Sequence, residues 1–184
     1  MNYKNLKYDT EGEYSLTYQK DANTISTLIK TLFGNVKILD ATAGLGGNSI
    51  SFGLNFTNVI SIEINANRCN LLKENLNLFK LNNTVICGDF LEHLDSINND
   101  YDLVFADPPW GGPLYKLKDK ININIGNMTL CEITKKFINN NKNIVWKLPF
   151  NYDISEFKDF NHMIYNIRNY NIIVISYDNN FVWS

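Results

Sequence analysis

The chain has 184 residues, 45% of them hydrophobic, and a formal net charge of −2. This length and composition predict one globular domain with a core of its own and exclude a disordered chain. A protein that grips many phosphates of a long nucleic acid usually carries a strong positive charge. A nucleic-acid substrate of this chain is therefore expected to be bound locally, through one nucleotide or an end.

Three cysteines and two histidines limit the metal and thiol chemistry. Cys69, Cys87 and Cys131 form no close pair in the sequence and have no metal-ligand spacing, so we expect reduced thiols and no bound metal. No apolar run approaches the roughly 20 residues of a membrane span, and the first residues do not resemble a signal peptide. We expect an intracellular monomer without a membrane partner, in the nucleus or the cytoplasm, and in the cytoplasm if the source is a virus.

The predicted elements alternate between β-rich runs and helical patterns. Hydrophobic periodicity predicts strands over 36–40, 58–63, 84–87 and 102–106, and helices over 48–54 and 67–79. It further predicts a helix over 128–138, a strand over 143–148 that Pro149 ends, and two last strands over 162–167 and 171–177.

Repeated strand-then-helix units predict a parallel sheet with right-handed crossovers. Only residues 168–170 separate the last two strands, and so short a link permits only an antiparallel hairpin. The expected fold is α/β, with a mostly parallel seven-stranded sheet and a C-terminal antiparallel strand. This outline resembles the Rossmann-like fold of class I S-adenosylmethionine-dependent methyltransferases. We expect one domain over 1–184, with an N-terminal element over 1–30 that lines the ligand site and a core over 36–184.

The first predicted strand ends in a glycine-rich turn, Asp40-Ala41-Thr42-Ala43-Gly44-Leu45-Gly46-Gly47-Asn48. Glycines let a turn approach a ligand closely, and ligands of such sheets bind beyond the carboxyl ends of the strands. Glu63 ends the next strand, where its carboxylate can accept hydrogen bonds from both hydroxyls of a ribose. The residues that we expect to bind a nucleotide-containing cofactor here are Asp40, Ala41, Gly44, Gly46, Asn48 and Glu63.

Two features favour S-adenosylmethionine over a dinucleotide. The turn lacks the third glycine of the pattern on which a pyrophosphate sits, and Asp40 would repel a pyrophosphate but suits an ammonium group. Asp89 closes the third strand, where it can accept from an adenine amine while Phe90 lies against the ring. Three carboxylates at successive strand ends suit a cationic cofactor, so we expect S-adenosyl-L-methionine.

The fourth strand ends in Asp107-Pro108-Pro109-Trp110-Gly111-Gly112-Pro113. An exocyclic base amine is a poor nucleophile, because its lone pair is delocalised into the ring. A carboxylate and a backbone carbonyl that accept its two hydrogens can hold it pyramidal, with the lone pair directed at a methyl donor. The prolines stiffen this loop, and Trp110 offers a stacking face for the base. We therefore predict methyl transfer to a base amine, aligned by Asp107, Pro108 and Trp110 as catalytic residues.

Three separated motifs resemble the trimethylguanosine synthase family, which methylates N2 of 7-methylguanosine in RNA caps. They are the string from Asp107 to Tyr115, the glycine turn, and the upstream segment Asp9-Thr10-Glu11-Gly12-Glu13-Tyr14-Ser15-Leu16-Thr17. The strand that ends at Pro149 is also similar, so that the likeness spans about residues 7 to 153. The resemblance implies that the chain transfers a methyl group to the guanine N2 of an RNA 5′ cap.

The resemblance also implies roles for individual residues. Trp110 stacks on the methylated guanine, whose positive charge adds a cation–π attraction of about 1–2 kcal/mol, and Asp107 accepts from the guanine edge. The residues placed near the ligands are Thr17 and Phe90 for the cofactor, and Asn75, Tyr115, Lys116, Lys118 and Lys120 for the cap and its phosphates. A solvated loop is an equally good interpretation of the three lysines.

Two positions depart from the family pattern. Family members have Ser at the position of Asp107, and they have a phosphate-binding Arg at the position of Phe150, for which Lys147 is the candidate substitute. Three other functions are considered: an adenine-N6 methyltransferase of DNA or RNA, which uses the same Asp-Pro-Pro-aromatic motif, a tRNA or rRNA guanine-N2 methyltransferase, and a catalytically idle cap-binding module. The tRNA or rRNA enzyme would need a basic face or an added RNA-binding domain, which this chain of net charge −2 does not indicate. The three acids at strand ends argue against the idle module, because a pure binder needs no cofactor pocket.

Overall fold

The structure is a computed structural model that describes residues 3–97 and 100–183. Its α-helices are α1 (Thr10–Ser15), α2 (Gln19–Phe33), α3 (Gly47–Asn55), α4 (Ala66–Leu78), α5 (Phe90–Ile97) and α6 (Leu130–Asn139), and short 3-10 helices lie at Tyr3–Asn5, Pro113–Leu117 and Ile154–Phe157. Its strands are β1 (Ile38–Asp40), β2 (Val59–Glu63), β3 (Thr84–Cys87), β4 (Leu103–Ala106), β5 (Asn124–Ile125), β6 (Met128–Thr129), β7 (Asn143–Pro149), β8 (His162–Ile167) and β9 (Tyr170–Ile175).

Seven of these strands form one sheet in the order β3-β2-β1-β4-β7-β9-β8. β2 is parallel to both β1 and β3, whereas β9 is antiparallel to both β7 and β8. The predicted hairpin is therefore present, and β9 lies between β7 and β8 rather than at the edge. The α/β fold with a mostly parallel seven-stranded sheet is confirmed. Among the described residues, no helix has the length and apolar character that crossing a bilayer requires.

The sequence predictions lack helices α1, α2 and α5 and strands β5 and β6. Helix α2 lies in the N-terminal stretch for which no element is predicted, although Ala22, Ile25 and Ile29 are spaced for one helix face and are completely buried. Helix α5 and the short hairpin of β5 and β6 are likewise not predicted. The remaining predicted strands and helices are present, with ends shifted by at most two residues.

The chain divides into two compact units, Met1–Leu103 and Val104–Ser184. In the first unit, α2 packs against α3, and the hydroxyls of Ser26 and Ser51 share a buried hydrogen bond of 2.7 Å. In the second unit, α6 packs against the fully buried strand β7. Helix α6 begins with a capping box, in which Thr129 and Glu132 satisfy each other's backbone N–H groups.

Two of the three cysteines are paired, so the expectation of three reduced thiols is wrong for them. Cys69 of α4 and Cys87 at the end of β3 form a disulfide, with their Cα atoms 5.7 Å apart. The two residues are 18 positions apart in the sequence, and the packing of α4 against β3 brings them together. Cys131 is a free thiol, and partial burial raises its pKa.

The largest fully buried side chain, Trp146, provides a test of the second unit's core. Its indole N–H donates to the hydroxyl of Thr134 across 2.9 Å, and both residues have no exposed surface. We expect Thr134→Val, which keeps the shape but removes the acceptor, to lower the free energy of unfolding by about 1–3 kcal/mol. Thr134→Ser keeps the acceptor and is the matched control in urea denaturation. Equal losses in both variants would show that packing, and not the hydrogen bond, sets the cost.

Candidate functional site

The glycine-rich turn of the first unit is fastened to the end of β2. The backbone N–H of Ala43 donates to the carbonyl of Ile62 (2.8 Å), and the N–H of Gly44 donates to the carboxylate of Glu63 (2.7 Å). Gly44 and Gly46 have φ angles of +55° and +96°, which side chains with a Cβ rarely adopt. Open space lies where a Cβ of Gly44 would be, so a ligand can approach the backbone there.

Glu63 is the centre of this arrangement. Its Oε2 accepts from Gly44, and its Oε1 accepts from the backbone N–H of Asn65 across 2.9 Å. The side chain is almost completely buried, with 6% of the residue exposed. Two backbone donors therefore fix the orientation of the carboxylate, and each oxygen retains a second lone pair that can accept from a ligand hydroxyl.

The other two predicted acids lie in different surroundings. Asp40 has no exposed surface, and its Oδ2 accepts from the hydroxyl of Ser49 across 2.6 Å. Asp89 is half-buried, and its Oδ1 accepts from the backbone N–H of Leu91 (2.9 Å) at the start of α5. Phe90 is buried, with 4% of its surface exposed. Asp40 and Phe90 are therefore covered by other residues of the protein.

The N-terminal residues are held against the glycine turn. The side-chain amide of Asn48 donates to the hydroxyl of Thr17 (3.0 Å), and the hydroxyl of Tyr3 donates to the carbonyl of Gly47 (2.7 Å). A Cβ on Gly47 would lie 2.8 Å from the backbone oxygen of Thr17, so only glycine permits this approach. Within the described residues, Oδ1 of Asn48 is buried and makes no hydrogen bond. It is an acceptor available to a ligand amine.

Asp9 anchors the segment that resembles the family's upstream element. Its Oδ1 accepts from the backbone N–H of Gly12 (2.6 Å), which caps α1, and its Oδ2 accepts from Nε of Arg68 in α4 (3.0 Å). The Gly12 hydrogen bond first, and Arg68 second, hold the pKa of Asp9 below its ordinary value. Gly12 itself lies so close to Leu45 of the turn that a Cβ would collide with it.

Asn75 also serves this junction. It has no exposed surface, and its amide group donates to the carbonyls of Lys7 and Leu45, each at 2.9 Å. Its oxygen accepts from the backbone N–H of Lys7 (2.8 Å). All of these partners are backbone groups of the N-terminal segment and the turn. A contact between Asn75 and the cap, as the resemblance implies, would require these bonds to break.

Ile64 is a candidate site residue that the sequence analysis does not name. It follows Glu63 directly at the end of β2, and 70% of its surface is exposed. An apolar side chain beside the proposed ribose acceptor is well placed to cover an apolar ring of the same ligand. The sequence indicates Ile64 only by its position directly after Glu63, the acid that ends β2.

The second unit brings together the residues of the Asp-Pro-Pro-Trp loop and β7. Nζ of Lys147 donates to Oδ2 of Asp107 across 2.5 Å, and the side chains of the pair are only 8% and 14% exposed, respectively. The same Nζ lies 5.3 Å from the ring centroid of Trp110 and 4.9 Å from that of Tyr170. Pro108 of this loop is buried. Asp107 and Trp110 thus both contact the ammonium of Lys147, which the motif does not contain. The catalytic roles of Asp107, Pro108 and Trp110 stay predictions.

Two aromatic rings border Trp110. Tyr115 packs perpendicular to it, with ring centroids 5.3 Å apart, and Tyr170 lies tilted at 6.4 Å. Burial raises the pKa of the Tyr115 hydroxyl, so this group remains a neutral donor. The indole N–H of Trp110 is buried and has no acceptor among the described residues. It is a hydrogen-bond donor available to a ligand.

The three loop lysines are separate from Lys147. Lys116, Lys118 and Lys120 are exposed, and Lys120 pairs with Asp153 across 2.8 Å. Lys147 is directed at Asp107 and the aromatic rings, and only 8% of its side chain is exposed, so phosphates cannot reach it freely. Phe150, at the position of the family's arginine, is 62% exposed.

These groups suit a positioning chemistry. Among the described residues, no group of three metal-ligating side chains is present. The first unit offers a rigid turn and a fixed carboxylate, as nucleotide-like ligands require. The second unit offers a carboxylate beside an aromatic face, which can hold a flat base with an amino group.

Comparison with known proteins identifies relatives. Residues 35–182 match the sequence profile of a family described as RNA cap guanine-N2 methyltransferase. The chain is 37% identical to trimethylguanosine synthase of Schizosaccharomyces pombe over 122 residues, which cover 63% of this chain and 51% of that protein. It is 34% identical to an uncharacterised protein of Acanthamoeba polyphaga mimivirus over 128 residues, which cover 66% of this chain and 49% of that protein. The chain thus spans about half the length of these relatives.

Solved structures share the fold. A precorrin-6y C5,15-methyltransferase from Geobacter metallireducens superimposes with a TM-score of 0.66, covering 96% of this chain and 95% of that one. The two sequences are 17% identical, so this similarity concerns the fold alone.

The anchoring role of Asp9 can be tested by stability and pH. We expect Asp9→Ala to lower the free energy of unfolding by about 1 kcal/mol through loss of the helix cap and to increase hydrogen exchange at Thr17 and Asn48. Because the folded pKa lies below the ordinary value of 3.8, the contribution of Asp9 is present above that pH and is lost as the pH falls through the folded pKa.

Asp9→Asn is the matched control, since it keeps the cap acceptor and removes the charge. It should retain most of the stability and show less dependence on acid pH. Unchanged exchange at Thr17 and Asn48 in Asp9→Ala would disprove the anchoring role.

Proposed function

The chain belongs to the RNA cap guanine-N2 methyltransferase family, and we propose that it transfers a methyl group to the N2 amine of 7-methylguanosine in an RNA 5′ cap. The observation that carries this proposal is that a carboxylate, Asp107, and an aromatic face, Trp110, stand on the loop after β4 and both contact the ammonium of Lys147. The net charge of −2 supports a substrate that is bound by its terminal nucleotide and not along a chain of phosphates.

S-adenosyl-L-methionine is the cofactor, in keeping with the family and the methyltransferase fold. When bound, it supplies a methyl group on a positively charged sulfur. The first unit fits it chemically: Glu63 offers a fixed carboxylate for ribose hydroxyls, Asn48 an acceptor for an amine, and Gly44 open backbone. Its proposed binding residues are Thr17, Asp40, Ala41, Gly44, Gly46, Asn48, Glu63, Ile64, Asp89 and Phe90.

Asp107 and Trp110 would act on the acceptor base. The indole would stack on the guanine, and the carboxylate of Asp107 would accept a hydrogen bond from the amine and so direct its lone pair. Buried Pro108 restricts the backbone between these two residues, which keeps both groups in register. Holding the amine and the methyl donor in this alignment would accelerate the transfer, so that no acid–base residue is needed.

Groups beside Trp110 would complete the cap site. Tyr115 borders the indole, and Lys116 lies over the Tyr115 ring with its ammonium 5.8 Å from the centroid. Because Lys116 is exposed, its ammonium group can move to contact a phosphate of the cap. We propose that the whole chain works as one methyltransferase domain, as an intracellular monomer.

The cofactor role of Glu63 yields a binding test. Glu63→Gln replaces one acceptor oxygen by a donor that faces a backbone N–H, and it weakens the acceptor for the ribose. We expect the dissociation constant of S-adenosylhomocysteine to rise at least about tenfold in calorimetry. Glu74→Gln, on an exposed carboxylate of α4, is the matched control and should leave binding unchanged. Equal affinities in the two variants would remove Glu63 from the cofactor site.

The acceptor is tested by labelled methyl transfer to 7-methyl-GTP, GTP, capped RNA and adenine-containing DNA. We expect transfer to guanine N2, abolished in Trp110→Ala because the base loses its stacking surface. Asp107→Asn should slow transfer even at saturating acceptor, since the neutral amide orients the amine less well. Trp183→Ala, remote from the loop in sequence, serves as the control for loss of an indole. If DNA adenine is the better acceptor, the adenine-N6 alternative replaces this proposal.

A further inference from the structure

The aromatic side of the proposed base site already carries a cation of the protein itself. Nζ of Lys147 lies 5.3 Å from the ring centroid of Trp110 and 4.9 Å from that of Tyr170. Both distances fall within the roughly 6 Å over which an aromatic face attracts a cation. Lys147 therefore makes the kind of contact that a positively charged 7-methylguanine would make with Trp110.

The sheet fixes this ammonium in place. Lys147 of β7 is directly opposite Ile172 of β9, and Tyr170 is two residues from Ile172, so the three side chains share one face of the sheet. Only 6% of Lys147 is exposed. A side chain that begins in the middle of a buried strand cannot move its charge into solvent as a surface lysine can.

The ion pair with Asp107 changes the electrostatics of the base site. A lone carboxylate beside Trp110 would attract a cationic base strongly. The ammonium at 2.5 Å cancels that charge, and it is also the member of the pair that lies over the aromatic rings. A second cation brought to Trp110 meets like-charge repulsion, whereas a neutral base does not.

We propose that Lys147 is a specificity-determining residue that lets the enzyme accept guanine with or without its 7-methyl group. This inference rests on the proposed function, because it concerns the choice between two guanine acceptors at the same site. It assigns Lys147 to the base and not to the cap phosphates. The substrate class that follows is the guanine nucleotide in general, of which the 7-methylated form is one member.

The test measures kcat/KM of methyl transfer to 7-methyl-GTP and to GTP, and the ratio of the two values is the preference for 7-methyl-GTP. Calorimetry gives the dissociation constants of the same two nucleotides. For the wild type we expect the preference for 7-methyl-GTP to be less than about threefold. Lys147→Met should raise it about tenfold, because the cationic base then meets a free aromatic face and no longer meets a like charge. Lys147→Arg keeps a cation at the rings and should keep the low preference.

Two further variants make the result decisive. Lys158→Met removes an exposed lysine of the same unit and should leave the preference unchanged. Asp107→Asn combined with Lys147→Met removes both charges and leaves no unpaired buried carboxylate, so it tests the preference even if Lys147→Met does not fold. We expect its binding preference for 7-methyl-GTP to exceed that of the wild type severalfold.

The outcomes separate the two levels of the proposal. A strong preference for 7-methyl-GTP in the wild type, or an unchanged preference in both Met variants, overturns the role of Lys147 and leaves the proposed function intact. Absence of transfer to guanine by any form, with S-adenosylhomocysteine still bound, overturns the proposed function itself.

Discussion

The buried carboxylate of Glu63 organises the cofactor end of the first unit. It accepts from Gly44 on one oxygen and from Asn65 on the other, and so connects the turn after β1 to the start of α4. Asn65 in turn caps α4 through its side chain. Because a buried carboxylate is stable only with such donors, the two loops must form together. The acid that is proposed to bind the ribose is thus also the acid that shapes the turn.

The N-terminal segment is joined to the glycine turn and to α4 by hydrogen bonds. Asp9, Thr17 and Asn75 tie residues before α2 to the glycine turn and to α4, and two glycines, Gly12 and Gly47, allow the backbones to approach. This explains in physical terms why the upstream motif accompanies the turn motif in the chain. Each residue type serves a particular contact. Asp9 caps α1, the Thr17 hydroxyl accepts a hydrogen bond, and the Asn75 amide bridges three backbone groups. The two glycines leave no room for a Cβ.

The second unit shows how one residue alters the chemistry of a known motif. The loop after β4 provides a carboxylate and an indole, and β7 adds an ammonium that contacts both. An isolated buried carboxylate would favour cationic ligands, whereas the Asp107–Lys147 pair is neutral overall. The identity of the residue on β7, outside the motif, therefore sets the electrostatic character of the proposed base site.

The local features follow from the sequence alone: most strand and helix positions, the closing hairpin, the glycine turn with Glu63, and the Asp-Pro-Pro-Trp loop. These depend on periodicity, on backbone angles and on residues adjacent in the chain, all of which can be read along one strand or turn. The contacts that join distant segments appear only once the chain is folded. Asn75 reaches Lys7 across 68 positions, Lys147 reaches Asp107 across 40, and Cys69 meets Cys87 through the packing of a helix on a strand. A side chain such as Asn or Lys can serve a ligand, a backbone or an ion pair equally well by its chemistry. Only the neighbours that folding brings to it determine which of these it serves.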